Sequence, residues 1–150
     1  MLNEPCAGRQ ARRQCRDQAL QGSFAATGAF QASNTQLLPG DLLFQIGGPS
    51  TVRGYQADAV AGDSGYFAEL ELHRKLSELV DGLDGFVFTD VGSVYSTFPA
   101  VTTLASVGAG LSWNINNQAT AELSVGFPIL NAIADQPTAT AYARVVAHAF

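Results

Sequence analysis

The feature that most constrains this chain is an alternation of apolar residues with polar or small ones, which recurs in six long segments. In the clearest segment, VTTLASVGAGLSWNI, Val107, Leu111 and Trp113 alternate with Ser106 and Ser112. A period of two places successive side chains on opposite faces of a β-strand. The pattern therefore predicts an all-β, antiparallel fold. The six predicted strands are residues 20–33, 66–75, 85–95, 101–115, 119–127 and 138–150.

The length of these segments and the character of their second face both indicate a membrane protein. Strands of soluble proteins usually contain about 5–6 residues, whereas a transmembrane β-strand needs about 9–11. Glycine, serine and glutamate on the second face suit the water-filled interior of a barrel whose apolar face contacts lipid. The sequence therefore predicts a portion of a transmembrane β-barrel.

Six strands are too few to close a barrel of this kind, which needs about eight at minimum. An open sheet in lipid would leave unpaired backbone groups along its edges, and each of them is costly. We therefore expect the chain to be part of a larger barrel, a subunit that completes one by association, or a truncated gene product. A soluble β-sandwich interaction module is the alternative of another class, and its apolar faces would have to bury each other.

The connections between the predicted strands differ in length. The longest is roughly residues 34–65, and it contains the glycine-rich segment IGGPSTVRGYQ, residues 46–56. Outer-membrane barrels combine short periplasmic turns with longer outer loops. If the C-terminus lies on the periplasmic side, this long loop opens on the outer side of the membrane.

Three segments and the last residue carry a family resemblance. IGGPSTVRGYQ, AGDSGYFAELEL, FTDVG and the terminal phenylalanine together resemble the C-terminal half of the Omp85 superfamily barrels. The leading LLPGDLLFQIGG is most similar to the two-partner secretion transporters, the haemolysin activation/secretion proteins. The resemblance covers roughly residues 20–150. It implies the six C-terminal strands of a barrel of about 16, with a loop at about 34–65 inserted into the pore.

The same resemblance implies a function. It implies a protein-translocation pore in the outer membrane of a Gram-negative cell, which exports and activates a haemolysin- or adhesin-like partner protein. The upstream domains and earlier strands of the family are not in this sequence, so we expect a truncated C-terminal fragment. An Omp85-type assembly factor, which inserts other barrels, shares the loop and strand motifs and is the alternative from the same superfamily.

The resemblance also implies a contact between the long loop and a strand. In the family, the loop folds back into the barrel and its arginine meets an aspartate on the inner wall. The matching residues are Val52, Arg53, Gly54 and Tyr55 in the loop and Phe88, Asp90 and Gly92 on the strand. The alternation independently places Asp90 on the inner face, where a carboxylate needs a partner because an unpaired buried charge is costly. An arginine can supply two charge-assisted hydrogen bonds, so we expect Arg53 to latch the loop inside the pore.

Charge and composition limit the partners and the additional segments that can be expected for this chain. The formal net charge of −5 argues against nucleic acid. No run of about 18 apolar residues is present to form a transmembrane helix, and no secretory signal peptide is visible. We expect residues 1–19, with Cys6 and Cys15, to be a disordered leader outside the family pattern. The resemblance implies outer-membrane lipid and the barrel-assembly machinery as partners, the latter recognising Phe150 as a C-terminal signal.

The sequence contains only weak signals for a catalytic site or a metal site. Glu69 and Glu71 lie two apart on one strand face, and paired carboxylates can perform acid/base chemistry, but charges on a pore wall explain them better. The segment GDSG, residues 62–65, resembles the surroundings of a serine nucleophile without the partners of a triad. His73 and His148 are too far apart to suggest a metal site. We therefore expect no enzyme activity, no cofactor and no metal.

Overall fold

The computed structural model describes residues 22–35, 37–76, 78–96, 101–115 and 118–147. These residues form an all-β structure, as the alternation predicts. The strands are β1 (Gly22–Gln31), β2 (Phe44–Ile46), β3 (Val60–Gly62), β4 (Ser64–Lys75), β5 (Leu83–Tyr95), β6 (Val101–Ile115), β7 (Ala119–Pro128) and β8 (Thr140–Ala147). A short 3₁₀ turn covers Gly40–Leu42. Within the described ranges, no helix is long and apolar enough to cross a membrane.

Six of these strands form one antiparallel sheet. Its order is β1-β4-β5-β6-β7-β8, so each strand pairs with the next long strand in the chain. Within the described residues, the six long strands coincide with the six predicted segments, apart from shifts of a few residues at their ends. The edges of the sheet are β1 and β8, which do not pair with each other in the described part of the chain. The sheet is therefore open, in agreement with a portion of a larger barrel.

The strands β2 and β3 form a separate two-stranded hairpin within the long connection from β1 to β4. In this hairpin Phe44 pairs with Gly62 and Ile46 pairs with Val60. The sequence analysis did not predict these strands, because three residues are too few to show a period of two. We call residues 32–63 the inner loop, since they pack against one face of the large sheet.

The face of the sheet that carries the inner loop is the inner face, and the opposite face is the outer face. In an antiparallel pair, directly opposed residues lie on the same face. The register therefore places a row of apolar side chains on the outer face, and many are well exposed. They include Leu72, Val87, Val107, Leu111, Trp113, Leu123 and Phe127. No second sheet covers this face among the described residues.

The buried apolar core lies between the inner loop and the inner face. Ile46, Val52 and Tyr55 of the loop pack with Val94 of β5 and Leu104 of β6, and all five side chains are buried. Burial of this apolar area is the main non-directional contribution to holding the loop on the sheet.

The connections divide between the two ends of the sheet. Residues 76–82 and 116–118 connect strands at one end, and residues 32–63, 96–100 and 129–139 connect them at the other. The two longest connections, 32–63 and 129–139, thus lie at the same end. The inner loop starts at that end and extends over the inner face toward the middle of β5.

Candidate functional site

The tip of the inner loop, residues 47–59, connects β2 to β3 and is closed by its own hydrogen bonds. The amide of Gly48 donates to the carbonyl of Val52 at 3.1 Å, and the amide of Asp58 donates to the carbonyl of Gly47 at 3.3 Å. The amide of Gly47 also donates to the Thr51 hydroxyl at 2.8 Å. These bonds give the tip a defined shape, with Val52, Arg53, Gly54 and Tyr55 buried against the sheet.

Arg53 makes three hydrogen bonds to Asp90 on β5. Its Nη2 donates to Oδ1 at 2.7 Å and its Nε donates to Oδ2 at 2.9 Å, so the guanidinium and the carboxylate form a two-bond fork. The backbone amide of Arg53 donates to the same Oδ2 at 3.0 Å. Asp90 is only 1% exposed and Arg53 is 5% exposed. The pair is therefore desolvated, and its geometry is the bidentate one that lysine cannot reproduce.

Glu71 on β4 is a second carboxylate partner of the same guanidinium. Nη1 of Arg53 forms an ion pair with Oε1 of Glu71. The other carboxylate oxygen of Glu71 lies 2.8 Å from Nε2 of His73. Arg53 thus bridges carboxylates on two neighbouring strands, and the positive group is compensated on two sides.

Aromatic side chains complete the surroundings of the guanidinium. The Cζ atom of Arg53 lies 3.6 Å from the ring centroid of Phe88, a favourable cation–π distance. Phe86 lies next to Phe88 on the same face, and the ring of His73 stacks on it with 5.1 Å between centroids. The arginine is therefore held by charge, by directed hydrogen bonds and by an aromatic surface.

The electrostatics of the site keep Arg53 charged. Burial alone would lower the pKa of its guanidinium. The hydrogen bonds to Asp90 and Glu71, together with the charges of both carboxylates, outweigh burial and raise the pKa above its ordinary value. A buried ion pair that retains all its partners is tolerated, whereas removal of one partner leaves a costly uncompensated charge.

Gly54 and Tyr55 contact a different part of the sheet. Gly54 has a φ of +100°, and a Cβ added at Gly126 on β7 would lie 2.6 Å from its backbone nitrogen. The hydroxyl of Tyr55 lies 2.9 Å from the carbonyl oxygen of Leu130 and 3.0 Å from that of Ala105, and either oxygen can accept its proton. The backbone of the tip therefore approaches β7 so closely that glycine is needed on both sides.

The chain matches the family model described as haemolysin secretion/activation protein ShlB/FhaC/HecB over residues 11–113. This chain belongs to that family. It is a family of two-partner secretion transporters, not of enzymes. No curated protein and no solved structure matches the chain.

The family match covers the part of the chain that contains Arg53, Glu71 and Asp90. It starts at residue 11, within the segment 1–19 that the sequence analysis predicted to be a leader. It ends at residue 113, before β7 and β8. The match favours the secretion branch over the assembly-factor alternative. The wider Omp85 resemblance, and the assignment of the last strands to the end of a barrel, stay predictions.

The structure brings the predicted loop and strand residues together. Val52, Arg53, Gly54 and Tyr55 lie on the inner face, and Phe88 and Asp90 lie beneath Arg53. A Cβ added at Gly92 would lie 3.1 Å from Cδ1 of Ile46, so this glycine lies under the loop as well. The role of these residues as a latch stays a prediction. Phe150, Cys6 and Cys15 lie outside the described residues.

Sequence reasoning missed several partners of the loop. Glu71 was interpreted only as a charge on the pore wall, although the strand alternation had placed it on the correct face. Its neighbour Glu69 pairs in register with Asp90, and its buried Oε1 has no hydrogen-bond partner among the described residues. Thr140 and Tyr142 on β8 were not predicted to contact the loop. They donate to backbone carbonyls of the tip, and such bonds leave no signal in the sequence of the acceptor.

Proposed function

We propose that this chain forms part of an outer-membrane pore that exports a secreted partner protein, and that the inner loop is latched inside this pore by Arg53. One observation carries the proposal: a loop with a buried arginine lies on the inner face of a sheet whose outer face is apolar and exposed. An apolar outer face suits lipid, and a polar inner face suits a translocation path. The membership of a secretion-transporter family supports the same assignment.

The open sheet supports a larger barrel. The backbone groups along β1 and β8 that face away from the sheet need partners if the sheet lies in lipid, because water is absent there. We propose that further strands pair with both edges, so that this chain corresponds to the C-terminal part of a barrel of about 16 strands. Phe150 would then serve as the signal that the barrel-assembly machinery recognises.

The latch gives the inner loop two possible positions. With Arg53 bound to Asp90 and Glu71, the loop covers the middle of the inner face and fills part of the path that a translocated chain would follow. Displacement of the loop exposes that path, but it requires the buried pair to separate. We propose no chemical reaction during export, so the free energy for transport of the exported protein must come from another process. We propose that this process is the folding of the exported protein outside the cell.

The first experiment asks where the protein lies and whether it is longer than this sequence. Outer membranes are isolated and probed with an antibody against the last residues of the chain, with and without heating of the sample. We expect a heat-modifiable band in the outer membrane several times larger than 15.7 kDa. A product found only in the soluble fraction would contradict the proposal.

The second experiment tests the latch in the protein detected by the first. The purified protein and its Arg53→Ala variant are reconstituted into planar lipid bilayers, and their conductance is compared. We expect larger or more frequent openings in the variant, since the loop loses its main charged contact. Equal conductance, together with unchanged export of the partner protein in cells, would contradict a latch at this position.

A further inference from the structure

The tip of the inner loop has a set of contacts in which no charged group takes part. The hydroxyl of Tyr142 on β8 donates to the carbonyl of Tyr55 at 2.5 Å. The hydroxyl of Thr140, also on β8, donates to the carbonyl of Gly54 at 3.0 Å. Both acceptors are backbone groups of buried residues directly after Arg53. The tip is therefore bonded to β8 through its main chain, independently of its side-chain identities.

These bonds lie on the same inner face as the arginine network, but in the other half of the sheet. Arg53 contacts β4 and β5 through Glu71 and Asp90. Gly54 and Tyr55 contact the other strands: Ala105 on β6, the backbone of β7 at Gly126, and the two hydroxyls on β8. Three consecutive residues thus link the loop to both halves of the six-stranded sheet. Loss of one set of contacts leaves the other set in place.

The two hydroxyls supply hydrogen-bond donors to buried carbonyl groups of the loop. A buried carbonyl oxygen without a hydrogen-bond partner is unfavourable, because it has lost water and gained nothing in exchange. The Gly54 and Tyr55 carbonyls are hydrogen-bonded by Thr140 and Tyr142 when the tip lies on the sheet. When the tip leaves the sheet, water can hydrogen-bond the two carbonyls, so the carbonyls need the hydroxyls only in the bound position. The hydroxyls therefore favour the bound position of the loop over the displaced one.

The position of β8 gives this contact a second consequence. Among the described residues it is an edge strand of the sheet, and its described part contains 8 residues, compared with 15 in β6. Bonds from the loop tip to Thr140 and Tyr142 fix the first residues of β8 against the rest of the inner face. Displacement of the loop would remove this support from the edge strand.

We propose that Thr140 and Tyr142 form an uncharged anchor for the loop tip, separate from the Arg53 network, which connects the loop to the edge strand β8. Both are positioning residues, since they act on the loop and not on an exported protein. The contact itself depends only on the position of the loop. Its consequence for transport rests on the proposed function.

The test measures how often the tip leaves the sheet. In a background with Cys6→Ser and Cys15→Ser, a Val52→Cys substitution places one thiol at a position that is 0% exposed. The rate at which a soluble maleimide labels this thiol reports the population of the open loop. A Leu42→Cys substitution at the base of the loop, where the side chain is 56% exposed, provides a reference rate. The protein is used in outer-membrane vesicles, without detergent.

Five variants are compared in each reporter background, and one of them, Arg53→Ala, is the positive control for an opened loop. Tyr142→Phe and Thr140→Val each remove one hydroxyl, and each should raise the labelling of the buried thiol about fivefold. Thr140→Ser keeps the hydroxyl and should restore the parent rate. Tyr95→Phe removes the hydroxyl of an exposed tyrosine on the outer face and should change nothing. Labelling at position 42 should be equal in all of them.

The outcomes separate the anchor from the transport role. If Tyr142→Phe and Thr140→Val label at the parent rate while Arg53→Ala labels faster, the anchor does not exist. If Thr140→Ser labels as fast as Thr140→Val, the effect is not due to the hydroxyl, and the anchor is again excluded. If the labelling follows the expected order but the parent protein shows no conductance and exports nothing, the anchor stands and the proposed function fails.

Discussion

Asp90 accepts both a side-chain fork and the backbone amide from Arg53, a residue 37 positions away in the chain. The carboxylate therefore fixes the main chain of the loop at this point as well as the guanidinium. An arginine that reached Asp90 from a differently placed loop could keep the fork but would lose the amide bond. This triple contact makes the pair specific for one position of the tip.

Replacement of Arg53 by lysine should release the loop almost as effectively as replacement by alanine. Removal of one partner from a buried ion pair costs about 3–5 kcal/mol, and the lysine ammonium cannot bond both oxygens of Asp90 while it contacts Glu71. We expect both variants to raise maleimide labelling at Val52→Cys, with alanine giving the larger increase. A lysine variant that labels like the parent would show that charge alone is sufficient.

Exchange of the two charges should not restore the latch. In an Arg53→Asp, Asp90→Arg double variant the opposite charges are kept, but position 90 can no longer accept the backbone amide of residue 53. The aspartate at position 53 would also face Glu71, which adds a repulsive contact. We expect the double variant to label no more slowly than Arg53→Ala. Recovery of the parent rate would indicate that the interaction is a simple charge pair.

A single methyl group at Gly126 should push the tip away from the sheet. A Cβ at this position would lie 2.6 Å from the nitrogen of Gly54 and 2.8 Å from the carbonyl carbon of Arg53, and neither backbone atom can move without shifting the loop. We expect Gly126→Ala to increase both labelling at position 52 and conductance. Gly40→Ala is the matched control, since no atom lies within 4 Å of its added Cβ. Similar behaviour of the two variants would contradict the close contact.

The sheet could be predicted from the sequence because the alternation that indicates a strand is local and recurs in every long segment. Each of the long strands carries its own alternation, so Val107, Leu111 and Trp113 indicate an outer face without reference to any other segment. The placement of Asp90 on the inner face follows from the same period. The residues that fill the inner face under the loop follow the alternation too, but the alternation does not say which of them the loop will touch.

The contacts of the loop could be predicted only in part. The family resemblance pointed to Arg53 and Asp90, but Glu71 depends on the register between β4 and β5, which pairs it with Phe88 and brings it beside the guanidinium. Thr140 and Tyr142 depend on where β8 begins and on how deep the tip reaches. These are three-dimensional relationships between distant segments, and the acceptors are backbone oxygens that every residue has.

A charge on the outer face should have a larger effect on assembly than the same charge on the inner face. Val107 on β6 is 42% exposed on the outer face, and in lipid an arginine near the middle of a barrel strand costs about 2–4 kcal/mol. Ser112 on the same strand lies on the inner face, where an arginine can contact water. The two positions therefore compare the two faces of one strand.

We expect Val107→Arg to reduce the heat-modifiable, folded fraction in outer membranes strongly, and Ser112→Arg to leave it near the parent level. The physical reason is that lipid offers no hydrogen-bond acceptor to the guanidinium, whereas the interior of a barrel does. In a soluble protein the order would differ, since an exposed valine on a water-facing surface tolerates an arginine at almost no cost. Equal assembly of the two variants would therefore contradict a lipid-facing outer surface, and with it the barrel.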